Sequence, residues 1–416
     1  MALRVFACFA AAYFMSYALR SVNAVIAPEL VGDLGLSNAQ LGSLSSAYFF
    51  GFALMQLPLG IWLDRYGSRR TDASLLVVTA LGCATFALAQ DFTTLWLARG
   101  LIGAGVAGAL MSALKGYRFW YEAERQQQLA AWMLVVGTAG ALLVTVPVQA
   151  ALPLTGWRGV FGLGALLMLA CAAAIWTLVP RDEERAVHPP APGSVWNGYR
   201  EVFSDRYFWR YAPFAMVVQG MFISMQSLWA GPWFTRVQGM SGDETARVLF
   251  VFNLVLLVGY VGLGAALPRL ARRGWTTLRL ATIATVLILS LQAAIALVEA
   301  GWSWLLWLPF AVASSGLIVV QPHVCTTFPP ALTGRAYTAF NLLIFIGVFL
   351  CQWLFGVTVD LFRAAGDSDA LAFRHALLVW VAMQALPFGL LLAWRVQPRA
   401  PSSDQAQAPA GVRPRA

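Results

Sequence analysis

The stretch Gly60-Ile-Trp-Leu-Asp-Arg-Tyr-Gly-Ser-Arg-Arg70 decides how this chain is read. It packs one acid, three arginines and two glycines into a short polar turn. Gly60 allows helices to approach closely, Gly67 permits a tight turn, and Asp64 suits the positive N-terminal end of a facing helix. On either side lie the apolar runs 39–62 and 72–90, each close to the about 20 residues that a helix needs to cross about 30 Å of hydrocarbon. The same template fits ten further segments, near 5–27, 95–115, 128–151, 159–180, 208–234, 247–267, 278–298, 303–323, 337–359 and 374–394. The first runs past 20 residues and is followed at once by another span, so it reads as retained and not as a cleaved signal. With 59% hydrophobic and 11% charged residues, against about 25% charged in soluble domains, a water-soluble enzyme of 416 residues is excluded.

Charge sets the expected orientation. Alternate loops and the termini carry 20 of the 28 Lys and Arg on one side and 5 on the other, with Arg20, Arg99 and Arg210 in or beside spans. The positive-inside rule puts both termini in the cytoplasm of a plasma-membrane protein. The net charge of +9 then reflects loops facing anionic lipid, with no nucleic acid involved. Five cysteines and three histidines share no ligand spacing, so no metal site or cofactor is expected. The polar stretch 181–207 divides the spans six and six. The expected organisation is an N-terminal bundle over 1–180, a cytoplasmic linker over 181–207, a C-terminal bundle over 208–394 and a disordered cytoplasmic tail over 395–416. Gly60 to Arg70 is echoed by Gly264 to Arg273, Leu95-Trp96-Leu97 by Leu306-Trp307-Leu308, and Arg125 by Arg335. Nearly constant offsets of this kind favour parallel repeats. The fold class read from the sequence is an all-α membrane protein of twelve transmembrane helices in two pseudo-symmetric six-helix bundles.

With Gly60, Asp64, Arg65, Gly67, Arg69 and Arg70 at the family's positions, the loop resembles the signature of the major facilitator superfamily. The resemblance covers nearly the whole chain. It implies two bundles rocking about a midplane site, with this loop closing the cytoplasmic gate. Arg99-Gly-Leu-Ile-Gly103-Ala-Gly105 resembles the family's arginine-bearing fourth-helix motif; because an unpaired arginine there is costly, Arg99 is expected to bond backbone or polar groups of span 1 or 2, in either a structural role or proton coupling. Span 5 lacks the Gly-Pro pair of the superfamily's drug:proton antiporters, which counts against multidrug efflux.

Candidate cavity residues are the polar groups that a bilayer would not otherwise tolerate. Tyr13, Tyr17, Arg20 and Asn23 lie at helical spacing on one face of span 1, with Pro28 beyond; Arg20 is too deep for easy snorkelling. This run resembles span 1 of the organophosphate:phosphate antiporter and anion:cation symporter families, where the arginine contacts an anionic substrate. The second arginine of a phosphate clamp is missing from span 7, which carries Gln219, Ser224, Gln226 and Trp229. One arginine with neutral donors suits a monoanionic carboxylate. Gly231 and Pro232 suggest a hinge in that span. Lys115, the only lysine, is a second candidate cationic contact, and Gln352 the best cavity candidate of the C-terminal half. No acid falls mid-span; Glu29, Asp64, Glu299 and Asp360 lie at edges. That leaves facilitated diffusion, anion exchange, or proton symport through Glu29, Asp64 or the substrate's own carboxylate.

No enzyme signature is present. The reading is a secondary active or facilitative transporter, monomeric, moving a small organic anion by alternating access, with a proton as a candidate coupling ion. The rival readings are efflux of hydrophobic or drug-like compounds and a non-transporting membrane sensor on the same fold.

Overall fold

The computed structural model describes residues 2–122, 125–180 and 194–397. The expectations for linker residues 181–193, for the tail from 398 and for the side chain of Asp64 lie outside the described residues. What is described is helical, with no strand among the described residues. Ten helical stretches are long and apolar enough to cross a bilayer. One of them, Gln128–Leu178, spans 51 residues and turns at Gly156, whose φ of 61° only glycine adopts without strain. It therefore supplies two spans. A twelfth is built of short pieces over 206–237.

The membrane helices are α1 (Ala2–Leu34), α2 (Asn38–Leu63), α3 (Arg65–Leu88), α4 (Phe92–Tyr117), α5 (126–155), α6 (157–178), α7 (206–237), α8 (Gly242–Arg272), α9 (Thr277–Leu297), α10 (Ser303–Cys325), α11 (Pro330–Ala364) and α12 (Asp369–Ala393). Their starts follow side-chain capping chemistry. Ser37 with Gln40 and Ser241 with Glu244 form capping boxes at α2 and α8, while Asp91, Thr276 and Ser368 accept from the first turns of α4, α9 and α12. Because those caps sit beyond the apolar runs, helices such as α8 begin before the hydrocarbon run that defines them in sequence.

The hinge expected at Gly231 and Pro232 takes another form. In α7 the residues Ala215–Gln219, Met225–Trp229 and Trp233–Val237 are π-helical. Each π turn adds a residue and rotates the following side chains, so the irregularity is spread along the span. A further helix, Ser194–Phe203, lies between the halves in sequence. It packs against α11, buries Tyr199 and Val202, and joins Tyr199 to Thr338 through hydroxyls 3.0 Å apart.

The two halves are sealed along α2 and α11 at the end remote from the Gly67 turn. There Asp360 of α11 accepts from the Asn38 backbone N–H (3.3 Å), the Asn38 Nδ2 (2.8 Å) and the Ala39 backbone N–H (2.7 Å). A carboxylate of one half thus caps the first turn of a helix in the other. Arg236 of α7 donates to Asn38 Oδ1 at 2.6 Å. Backbones approach closely along this seam: a β-carbon at Gly42 would lie 2.5 Å from the Gln352 carbonyl oxygen, and one at Gly356 would strike the Asn38 carbonyl. Gly231 meets the Ala24 carbonyl in the same way where α7 crosses α1. Farther toward the Gly67 end the seam becomes aromatic, with Phe345 stacked on Phe49 at 6.0 Å between ring centres and tilted against Phe52 at 4.4 Å.

Candidate substrate site and gates

Arg20 is half-buried on α1. Its guanidinium carbon lies 4.1 Å from the centre of the Tyr17 ring, and Tyr13, Tyr48 and Tyr260 stand within electrostatic range. Tyr260 belongs to α8, so the surroundings of this arginine are drawn from both halves. The Tyr13 hydroxyl donates to that of Tyr17 at 3.3 Å, and both rings lean on Gly137 of α5, where a β-carbon would collide with them. No carboxylate pairs with Arg20 among the described residues, and its Nε is buried without a hydrogen-bond partner. Tyrosine faces and hydroxyls solvate the charge without neutralising it.

One turn along α1, Asn23 donates to Ser45 of α2 at 2.9 Å and keeps a buried Oδ1 without a partner. Across the seam, Gln226 of α7 is half-buried and donates to Asn253 Oδ1 at 3.0 Å; Asn253 in turn donates to the Leu249 carbonyl. Gln219 is half-buried one π turn earlier. The other two candidates of the C-terminal half lie in the seal. Trp229 is fully buried against Phe355 and Phe373, with ring centres 5.0 and 5.9 Å away. Its indole N–H donates to the Gln352 carbonyl at 3.0 Å, and the Gln352 side chain donates to Ser227 at 3.1 Å. These contacts fix the α7–α11 face on which Gly42 of α2 rests.

Arg99 is buried to 1% exposure and donates to the Leu19 carbonyl of span 1 at 2.9 Å, the kind of backbone partner expected of it. The Tyr48 and Phe161 rings lie 5.1 and 5.9 Å from its guanidinium carbon, while its Nε and Nη1 have no partner. Because Leu19 immediately precedes Arg20, this bond braces α1 where the half-buried arginine leaves it.

At the opposite end, Gly67 turns the chain with φ 76°, as its residue type predicts. Gly60, read from sequence as a close-packing position, faces open space: a β-carbon there would meet nothing within 4 Å. The close approach it was expected to serve is therefore missing from this conformation. Arg65 is exposed and lies 5.3 Å from the Tyr66 ring. Arg69 fastens the loop to α6, donating to the Trp176 carbonyl through Nε (2.9 Å) and Nη2; Arg70 is exposed. Lys115 donates to the Leu63 carbonyl at 2.7 Å, tying α4 to the end of α2. That places it at the loop, away from Arg20.

Sequence reasoning missed the roles of four residues. Tyr48 and Tyr260 were hidden because an isolated tyrosine in an apolar helix is as often packing as lining. Asp360 was noted as an edge acid, and the cue to its role was the Asn38 that follows the Ser37 cap. Asp72 was set at the first residue of its span and is fully buried; the start of a run defined by hydropathy says nothing about where the helix begins.

Residues 9–352 match the Major Facilitator Superfamily. The Hexuronate transporter of Escherichia coli (strain K12) is 24% identical over 94% of this chain and 93% of its own length. The Galacturonate transporter of Dickeya chrysanthemi is 26% identical over 41% of this chain and 50% of its own. Among solved structures, a bacterial homolog to the human lysosomal transporter Spinster, in an inward-facing and occupied conformation, superposes with TM-score 0.77 at 20% identity, covering 93% of this chain and 95% of that one. With a fold of twelve helices in two halves and a family match over most of its length, the chain belongs to the Major Facilitator Superfamily and is a membrane transporter, not an enzyme.

Proposed function

We propose that this transporter carries a small organic anion of the carboxylate class, with Arg20 as its charge contact. The observation that carries the proposal is a half-buried arginine, ringed by tyrosines of both halves, with no carboxylate partner among the described residues. A cation left uncompensated in a membrane protein is costly and marks a ligand path. A carboxylate would complete it with charge-assisted hydrogen bonds. Tyr17, Asn23, Gln219 and Gln226 offer neutral donors and acceptors around it, which suits a hydroxylated monocarboxylate better than a phosphate dianion. The names of the two sugar-acid transporters among its relatives support the same class, so galacturonate is the first compound to test.

The seal at Asp360 and Asn38 represents one limb of alternating access. Positive-inside counting makes the Gly67 end cytoplasmic in a bacterial inner membrane, so the sealed end is the outer one. Trp229 and Gln352 then hold the outer gate, while Gly60, Asp64, Arg65, Gly67, Arg69, Arg70 and Lys115 form the inner one.

Thermal stabilisation of the purified protein by galacturonate, smaller carboxylates, phosphate esters and lipophilic cations tests the reading. Ligand bound to the folded state alone stabilises by about 2.7 kcal/mol at a hundredfold excess over Kd. The expected result is stabilisation by a carboxylate that Arg20→Ala abolishes and Arg20→Lys partly restores. Stabilisation by lipophilic cations, or carboxylate stabilisation that survives in Arg20→Ala, overturns it.

A further inference from the structure

Asp72 stands two turns into α3, behind the loop that turns at Gly67. Its side chain is wholly buried, at 0% exposure. Neither carboxyl oxygen closes a hydrogen bond among the described residues. The Ser112 hydroxyl of α4 lies beside it and is likewise buried without closing a bond.

The titratable groups that face it are neutral ones. From α4 comes Tyr117, whose hydroxyl is directed to the Phe6 carbonyl and the Met133 sulfur. From α6 comes Cys171, and behind these stands Cys8 of α1, turned to the Ala174 carbonyl. On its own helix Arg69 is turned away to Trp176 on α6, and Arg70 is exposed. Ser112 is the only group that acts appreciably on the carboxyl among the described residues.

An ionised carboxylate in such surroundings would carry a desolvation penalty of several kcal/mol with no cation among the described residues to offset it. The neutral acid has no such cost. A carboxyl kept inside the bilayer is an expensive feature for a fold to retain without use, and this one is not needed to pair any arginine of the gate loop. We infer that Asp72 is a proton-binding site of the carrier. It is protonated and sealed in this conformation, and it releases its proton to water at the Gly67 end when movement of the gate loop opens the α3–α4 contact. The step transfers one proton from the carboxyl to water at the Gly67 end and takes one back from that same water on closure, so no proton crosses the membrane and opening of the gate loop is favoured as the pH on that side rises. Nothing in this assignment depends on which anion the Arg20 site accepts.

Infrared difference spectroscopy of the reconstituted protein, between neutral and alkaline pH and without any substrate, reads the site directly. The native protein is expected to show the carbonyl stretch of a protonated, non-hydrogen-bonded carboxyl, absent in Asp72→Asn. The amide matches the neutral acid in shape and polarity, so the variant should fold; isotope labelling of the aspartates in the native chain gives the same reading independently. In proteoliposomes, the rate of exchange of internal for external radiolabelled galacturonate should change with the pH bathing the Gly67 end in the native protein and lose that dependence in Asp72→Asn. An aspartate carbonyl band unchanged in Asp72→Asn, no protonated aspartate band in the labelled native protein, or a pH dependence of exchange retained in the variant would each overturn the assignment. If galacturonate is not carried at all, the substrate reading fails while the spectroscopic test stands.

Discussion

Asp360→Asn is the perturbation that most directly tests how the halves are held together. The carboxylate accepts two short hydrogen bonds, from Asn38 Nδ2 and Ala39 N–H, and one longer one from Asn38 N–H. A hydrogen bond to a charged acceptor contributes about 1.5–3 kcal/mol net, and a negative charge at a helix N-terminus about 0.3–1 kcal/mol more. Asparagine keeps one carbonyl oxygen, so one of the short bonds and the charge are lost. Discounted for the partial exposure of the site, the loss is about 2 kcal/mol, or about 30-fold in the equilibrium between the sealed and opened arrangements. The bonds exist only while α2 and α11 are together, so the whole loss falls on the sealed state. The readout is the distance between spin labels on Leu154→Cys and Gly301→Cys, which lie at the sealed end of opposite halves; Leu154 is 86% exposed and a side chain at Gly301 meets nothing within 4 Å. The native distribution should be dominated by the short distance, and Asp360→Asn should transfer a substantial share to a longer one. An unchanged distribution, with the variant folded, would refute the view that this cap holds the seal.

Two further predictions bear on packing. In Gly356→Ala the added methyl strikes the Asn38 carbonyl backbone, and overpacking typically costs about 1–3 kcal/mol; the same labelled pair should shift to long distance, with a lower melting temperature, and a sealed distribution would show that the helices slide to make room. In Arg99→Met the bond to the Leu19 carbonyl is lost along with two unpartnered guanidinium nitrogens, and apolar replacement of poorly compensated buried charge is often neutral or stabilising. Chemical denaturation should therefore place the variant within about 1 kcal/mol of the parent. A loss of several kcal/mol would show that the brace on α1 outweighs the desolvation.

The fold was legible because the bilayer leaves few choices. Runs of about 20 apolar residues must be helices, the six-and-six division followed from the polar linker, and the Gly67 turn from the residue type that adopts positive φ. Hydropathy was silent wherever packing decides. It could not show that α7 would become π-helical around Met225–Trp229, because the composition of that stretch is compatible with either helix. Nor could it separate lining from burial: Trp229 and Gln352 read as candidate substrate contacts, and both are spent on the seal, through a bond between the indole N–H and a backbone carbonyl that no side-chain pattern encodes. Gly60 illustrates the converse. Its position in the motif suggested close contact, and in this conformation that contact is unmade.

Arg20 and Arg99 show how far residue type alone carries a functional argument. Each is an arginine in an apolar helix, and a hydropathy profile scores them alike. Arg99 sits at 1% exposure with a backbone carbonyl and two aromatic faces around it, so there is no room for a ligand and its charge acts only on the frame. Arg20 is only half-buried, with tyrosines drawn from both halves around it, and that is the difference on which the proposed anion contact rests. The bond from Arg99 to Leu19 links the two: the buried arginine fixes the residue that precedes the accessible one. A site assembled this way keeps its cation in place while the second half moves, because its anchor lies wholly within the first. In the proposed cycle the tyrosine on α8 is the part that leaves when the halves rock, so the affinity for an anion would change with conformation. That difference is what a carrier requires, since binding energy common to both states moves nothing.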